Sequence, residues 1–153
     1  MSYPSFDEAY KTGSSAEDEV LGIIQKKYPR AHRIKGYFKG YDIYVPETDD
    51  KIEVKRDTRA IETGNFFVET MYDDKPSGIE TTESTWWVWV DDKLIIWIQT
   101  EALKHLIQGK KEITFEANGK KSRGGRIIKR EELIFSQYVN CYERPSQHHL
   151  PNL

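Results

Sequence analysis

The sequence has a single cysteine, Cys141, and no long apolar run. One cysteine excludes an internal disulfide framework and is typical of a reducing compartment. Cys141 and the histidines lack the spacing of zinc ligands, so no structural zinc site is expected. No apolar run is longer than WWVWV (86–90), which is too short to span a bilayer. The start, MSYPSFDEAYK, lacks the basic residues and apolar stretch of a signal peptide, so we expect a cytoplasmic protein without a membrane partner.

Net charge is also small, at −2, which by itself speaks against a nucleic-acid partner. The distribution along the chain is uneven, however, because acids dominate 47–53 and bases dominate 110–130. A basic face and an acidic pocket are therefore compatible with the balanced total. With 153 residues, 37% hydrophobic and 31% charged, the chain is predicted to form one globular domain spanning 1–153.

Hydrophobic periodicity and turn residues predict alternating helices and strands. Helices are predicted at 12–28, 80–86, 101–110 and 130–139, the first of them capped by Ser14 or Ser15 after a loose lead-in. Strands are predicted at 31–45, 51–57, 64–72, 86–90, 94–99, 111–117 and 125–130. WWVWV has no polar alternation, which indicates a strand buried on both faces. The tryptophans could stack on bases, but core packing is the better interpretation for at least two of them. This order predicts an α/β fold with a mixed central sheet flanked by helices.

Three charged side chains stand out in the stretch YDIYVPETDDKIEVK (41–55). Alternate side chains of a strand share a face, so Glu53 and Lys55 point the same way. A turn at PETDD that pairs the two runs antiparallel would bring Asp42 beside them. Two carboxylates supply the oxygen ligands that Mg²⁺ prefers, and an ammonium can stabilise charge on a phosphoryl group. The stretch therefore predicts a metal-dependent site for phosphodiester hydrolysis.

The first predicted helix adds an acid. Glu17 lies three residues before Val20 and seven before Ile24, on the apolar stripe that faces the sheet. Glu19, four before Ile23, is the competitor. A carboxylate at this inward edge needs a compensating role, such as binding a metal or orienting its water. Glu17 alone would also suit the positive end of the helix dipole.

At this point the chain resembles the PD-(D/E)xK nuclease superfamily. Asp42, ten intervening residues and Glu53-Val54-Lys55 are similar to its Asp…Glu-x-Lys core, and Glu17 in GSSAEDEV matches its helix acid. The segments GNFFVE, PSGI and WWVW resemble Holliday-junction-resolvase-like and phage-encoded members. The resemblance covers about 13–107 as the core and leaves 108–153 as a basic C-terminal extension.

The resemblance implies a restriction-endonuclease-like fold and a Mg²⁺- or Mn²⁺-dependent deoxyribonuclease that leaves 5′-phosphate and 3′-hydroxyl ends. By position, Asp42, Glu53 and the Val54 carbonyl would ligate the metal. Lys55 would be the catalytic lysine, and Glu17 would serve a second metal or its water. Tyr41 stands where the family pattern has Pro.

Basic side chains outside this core are the expected phosphate contacts. The candidates for DNA binding are Arg56, Lys75, Lys120, Lys121, Arg123 and Arg126. The last four lie in NGKKSRGGR, which would otherwise be only a solvated hairpin loop. Asn65 and Glu69 follow the motif and could border the site.

Two other functions stay open: a DNA-binding module on the same fold that no longer cuts, and a protein-interaction domain. A nuclease of this kind could be specific for junction or branched DNA, and a junction resolvase would need two symmetric cuts and hence a homodimer. The strand LIIWIQ (94–99) would serve as its interface if it lay at a sheet edge. The DNA substrate and the number of metals are left open.

Overall fold

The protein folds into two β-sheets and four α-helices in the part that the computed structural model describes, which is 6–36, 40–117, 120–145 and 149–153 without the side chains of 6–12, 117 and 120–122. The helices are α1 (Phe6–Gln25), α2 (Ala60–Thr63), α3 (Thr100–Ile107) and α4 (Arg130–Ile134). The strands are β1 (His32–Arg33), β2 (Ile43–Val45), β3 (Asp50–Arg56), β4 (Asn65–Tyr72), β5 (Lys75–Pro76), β6 (Trp86–Val90), β7 (Leu94–Gln99), β8 (Glu112–Ala117), β9 (Lys120–Lys129) and β10 (Val139–Glu143).

The larger sheet has six strands in the order β1-β2-β3-β6-β7-β10. Neighbouring strands are antiparallel except β3 and β6, which run parallel. Between β3 and β6 the chain leaves this sheet and forms β4 and β5 of the smaller one. The mixed sheet and its helices confirm the predicted α/β class, whereas the restriction-endonuclease-like core stays a prediction.

The smaller sheet is antiparallel, in the order β5-β4-β9-β8, and packs on one face of the larger sheet while α1 packs on the other. Strand β6 serves both interfaces. Trp86 and Val88 join the core on the α1 side, and Trp87 and Trp89 join the core beneath the smaller sheet. Trp89 stacks on Phe66 of β4 with ring centroids 4.6 Å apart. All of WWVWV is buried, as its missing alternation predicts.

Helix α1 begins earlier than the sequence indicates. Residues 6–10 are helical rather than a loose lead-in, and Ser14 and Ser15 lie inside the helix instead of capping it. Ser14 Oγ accepts a hydrogen bond of 3.2 Å from Arg33 Nη1, so a tertiary contact satisfies the hydroxyl that resembled a cap. None of the helices in the described residues has the length and apolar content that crossing a membrane requires.

The helix predicted at 80–86 is wrong. Only Gly78–Glu80 forms a short 3-10 helix, and the chain then runs irregularly into β6. The Thr82 hydroxyl accepts a 3.1 Å hydrogen bond from the Ser84 amide, and the hydroxyls of Ser84 and Thr100 lie 3.0 Å apart. Because serine and threonine side chains offer the backbone such alternatives, they compete with helix formation.

The C-terminal part contributes a strand that the sequence analysis missed. The helix predicted at 130–139 ends at Ile134, and β10 then pairs antiparallel with β7, from Val139 opposite Ile98 to Glu143 opposite Leu94. Strand β7 therefore lies between β6 and β10 and is not an edge. The condition under which LIIWIQ would form a dimer interface is not met.

Candidate active site

The hairpin of β2 and β3 brings Asp42 to the face that carries Glu53 and Lys55. Ile43 pairs with Ile52, and the Asp42 amide donates to the Ile52 carbonyl at 2.9 Å, which places Asp42 next to Glu53. The Val54 amide donates to Asp42 Oδ2 at 2.8 Å, so this carboxylate is held against β3. The antiparallel pairing predicted from the sequence is confirmed.

The Glu53 and Lys55 side chains form an ion pair, with 3.0 Å between Oε1 and Nζ. Glu53 is mostly enclosed, at 13% side-chain exposure, whereas Lys55 keeps 42% exposed. Lys55 Nζ also lies 5.4 Å from the centroid of the Trp87 ring, which is buried on the neighbouring β6. The ring therefore makes a cation–π contact with one side of the ammonium, and the other side stays exposed.

Glu17 of α1, rather than Glu19, joins this cluster. Glu17 pairs with Arg33 of β1 and lies within hydrogen-bonding reach of Asp42. Glu19 is held elsewhere, because Arg144 donates to its two carboxylate oxygens at 2.6 and 2.8 Å. Arg33 and Arg144 therefore hold Glu17 and Glu19 in different places, and of these two acids it is Glu17 that lies near Asp42.

Burial is the largest cause of an upward pKa shift in all three carboxyl groups. Burial raises the pKa of Glu53 to about 7, with Lys55 opposing the shift and Asp42 adding to it. Burial likewise raises the pKa of Asp42 against the Val54 amide and Lys55. Burial, followed by the charge of Asp42, raises the pKa of Glu17. Burial thus disfavours the charged form of all three acids.

The pKa of Lys55 shifts upward, opposite to the usual shift of a buried lysine. Burial lowers its pKa, but Glu53 and then Asp42 outweigh that effect, and the pKa lies above the ordinary value. The ammonium therefore keeps its proton at neutral pH. The charge of Glu69 of β4 makes a smaller contribution to the same upward shift.

The donor set fits a hard divalent cation, although no group of three or more His, Cys, Asp or Glu side chains among the described residues is arranged around a metal position. Glu17 is turned to Arg33, and Glu53 to Lys55. Asp42 and Glu53 have the oxygen chemistry that Mg²⁺ and Mn²⁺ prefer. The Val54 carbonyl as a third ligand stays a prediction.

The predicted DNA-binding residues differ in how far their charges are already paired within the protein. Arg56 donates to the carbonyls of Asp57 and Val90 at 3.0 and 2.9 Å and pairs with Asp92, so its charge is used within the fold. Arg126 Nη1 donates to the Lys110 carbonyl at 2.9 Å.

The remaining candidates lie on the smaller sheet. Arg123 pairs with Glu69 at 2.9 Å but keeps 52% of its side chain exposed, and Lys75 is exposed in β5. Lys120 and Lys121 belong to β9, and their side chains lie outside the described residues. The basic loop predicted from sequence is thus largely strand.

Arg33 is the residue at this site that the sequence analysis did not identify. Its Nη1 donates to Asp18 at 2.9 Å, and its Nη2 contacts Glu17. A positive charge two strands away from Glu53 has no local sequence signal, because the pairing of β1 with β2 creates the contact.

Glu53→Gln is expected to flatten the pH dependence of stability. The folded-state pKa of about 7 exceeds the ordinary 4.5, so its stabilising contribution is complete below pH 4.5 and is lost as pH rises through 7. Gln cannot ionise. The free energy of unfolding of the variant, relative to that of the wild type, should therefore rise by on the order of 2 kcal/mol between pH 5 and pH 8. Urea denaturation at both pH values measures this difference. The control is Glu101→Gln, at an exposed glutamate. If the stability of Glu53→Gln changed with pH as that of the wild type does, the raised pKa of Glu53 would be contradicted.

No protein-family model matches the chain, and no curated protein sequence matches it significantly.

Proposed function

We propose that this chain is a Mg²⁺- or Mn²⁺-dependent endonuclease that hydrolyses phosphodiester bonds of DNA. The proposal is supported by one observation above all: Asp42, Glu53 and Lys55 share one patch, and Glu17 reaches it from α1. Burial disfavours the charged form of all three acids, and such perturbed groups are more common at functional sites than elsewhere.

The residues divide the chemistry between them. Asp42, Glu53 and the Val54 carbonyl would hold the cation, which when bound supplies charge stabilisation and a more acidic water. Because Lys55 stays protonated, we assign it to neutralising charge on the phosphoryl oxygens rather than to removing a proton. Its exposed outer side is where the phosphate would approach.

Glu17 would act only after its contact with Arg33 loosens. A DNA phosphate is a competing partner for the Arg33 guanidinium, because both phosphate and carboxylate match its geometry. Released, Glu17 would orient the attacking water or a second cation. One or two cations per site are both compatible with this arrangement.

Cleavage of a substrate panel tests the proposal. Linear duplex, single strand, flap and four-way junction are incubated with Mg²⁺, with Mn²⁺ and with EDTA. Metal-dependent products with 5′-phosphate ends are expected from at least one substrate. Salt-dependent binding without cutting would favour an inactive DNA-binding module, and no salt-dependent binding would favour a protein-interaction domain. A structure-specific junction enzyme would further have to sediment as a homodimer.

Asp42→Asn is expected to abolish the stabilisation by Mg²⁺ while preserving the fold. Asn keeps an oxygen for the Val54 amide but loses the charge that attracts the cation. Saturating Mg²⁺ at pH 8 should raise the Tm of the wild type by about 3 °C and that of the variant by less than about 1 °C. Asp92→Asn, at an exposed carboxylate paired with Arg56, should respond like the wild type. Equal shifts in Asp42→Asn and wild type would remove Asp42 from the ligand set.

A further inference from the structure

The outer face of the smaller sheet carries two phenylalanine rings in contact, one of them exposed. Phe67 of β4 and Phe115 of β8 meet edge to face, with centroids 5.6 Å apart and planes at 63°. Phe115 is 50% exposed although it lies in a strand. Large apolar rings left open on a sheet commonly mark a binding surface.

Glycine keeps this face flat beneath the rings. A Cβ on Gly125 of β9 would come within 2.6 Å of Phe67 Cζ and 2.3 Å of the Val68 carbonyl oxygen. Only a residue without a side chain lets the Phe67 ring lie down on β9.

Arg123 adds a cation beside the same two rings. It stands opposite Phe115 in the pairing of β8 with β9, and its guanidinium carbon lies 5.1 Å from the Phe67 centroid. Arg123 Nε also pairs with Glu69, the acid whose charge acts on Lys55. Arg123 thus links Glu69 to the pair of phenylalanines.

We propose that Phe67, Phe115 and Arg123 form a stacking platform for unpaired nucleobases of the DNA strand that enters the site. This inference rests on the proposed nuclease function, whose substrate it narrows. A base within a duplex has both faces stacked already, whereas an unpaired base can lie on an aromatic ring. Arg123 suits both the base plane and the adjacent phosphate. The substrate would then contain a single-stranded segment, as in a flap, a fork or an open junction.

Phe115→Ala tests the platform by binding alone. Fluorescence anisotropy in EDTA compares a single-stranded oligo-dT of about twelve nucleotides with a blunt duplex of the same length. The variant should bind the single strand about tenfold more weakly than the wild type and the duplex within about twofold. Phe135→Ala is the matched control, because Phe135 is 79% exposed at the end of α4, outside the platform.

Two further variants separate stacking from folding. Phe115→Leu keeps an apolar contact for Phe67 but offers no ring, so it should lose the same affinity with an unchanged Tm. Phe115→Trp should retain or increase single-strand affinity because tryptophan stacks on bases at least as well. If the wild type fails to bind the single strand, or Phe115→Ala and Phe115→Leu bind it as the wild type does, the platform is refuted.

Cleavage and binding can fail independently. Single-strand binding that depends on Phe115, without metal-dependent cutting of any substrate, would sink the nuclease proposal and leave the platform. Metal-dependent cutting together with single-strand binding that Phe115→Ala and Phe115→Leu leave unchanged would sink the platform and leave the nuclease.

Discussion

Replacing Lys55 with Met is expected to lower the rate of Mg²⁺-dependent DNA cleavage about a thousandfold while the protein stays folded. Methionine approximates the apolar stem of the lysine side chain but removes the ammonium and with it the cation–π contact to the Trp87 ring. The charge that builds on the phosphoryl oxygens would then lack its nearest protein cation. Single-turnover cleavage with enzyme in excess measures the loss in the chemical step, and circular dichroism checks the fold.

The chain offers a close control in Lys104→Met. Lys104 pairs with Glu101 at 3.2 Å and is 41% exposed, much like Lys55 with Glu53, but it lies on α3 away from the cluster. Its rate should stay within about twofold of the wild type, because exposed pairs contribute little. If Lys55→Met also cut at the wild-type rate, Lys55 would have no part in catalysis. A Lys55→Arg variant that recovers part of the rate would support a purely electrostatic role.

The centre of the candidate site could be predicted because its geometry is local. Strand alternation sets Glu53 and Lys55 on one face, and a single hairpin sets Asp42 beside them. The turn itself follows from residue type: Asp49 has φ of 58°, a conformation that Asp tolerates, and its Oδ1 accepts 2.7 Å from Tyr44 OH. Few alternatives compete over so short a stretch of chain.

What surrounds that centre could not be predicted because it depends on distant pairings. Arg33 reaches Glu17 only because β1 adds to β2, and Arg123 reaches Glu69 only because β9 returns beside β4. The basic segment looked like a free phosphate-binding loop, yet Lys110 pairs with Glu132 and Arg126 binds a carbonyl. Charge counted along a sequence does not show which charges the fold will pair.

Prediction of the fold from the sequence was limited by the same non-local contacts. Strong apolar runs such as WWVWV and LIIWIQ identified their strands, because burial dictates both composition and conformation. The parallel pairing of β3 with β6 was not accessible, since an excursion into a second sheet separates them. Strand β10, VNCYE, has mixed polarity at the sheet edge, and only its first residue, Val139, fell within a predicted element, the helix at 130–139.

Asp91 shows how far burial can change the meaning of a residue. In the sequence it opens the turn Asp91-Asp92-Lys93, where an acid suits solvent. In the fold it is fully buried, and its Oδ1 accepts from the amides of Lys93 and Leu94 at 2.8 and 2.6 Å. Its Oδ2 accepts from Arg130 of α4 at 2.9 Å, and its carbonyl accepts from Arg144. One carboxylate thus joins the β6–β7 turn to α4.

Asp91→Ala is therefore expected to destabilise the protein by about 3–5 kcal/mol, the cost of breaking a buried ion pair and leaving its partner uncompensated. Arg130, with 17% of its side chain exposed, would lose its counter-charge, and two turn amides would lose their acceptor. Urea denaturation gives the free energy of unfolding.

The neighbouring Asp92→Ala is the control: Asp92 is 64% exposed, and its loss should cost no more than about 1 kcal/mol. A double-mutant cycle with Arg130→Met should show coupling above about 1 kcal/mol, because Met leaves no buried charge to compensate. Similar losses for Asp91→Ala and Asp92→Ala would mean that the turn, rather than the buried pair, sets the stability of this corner.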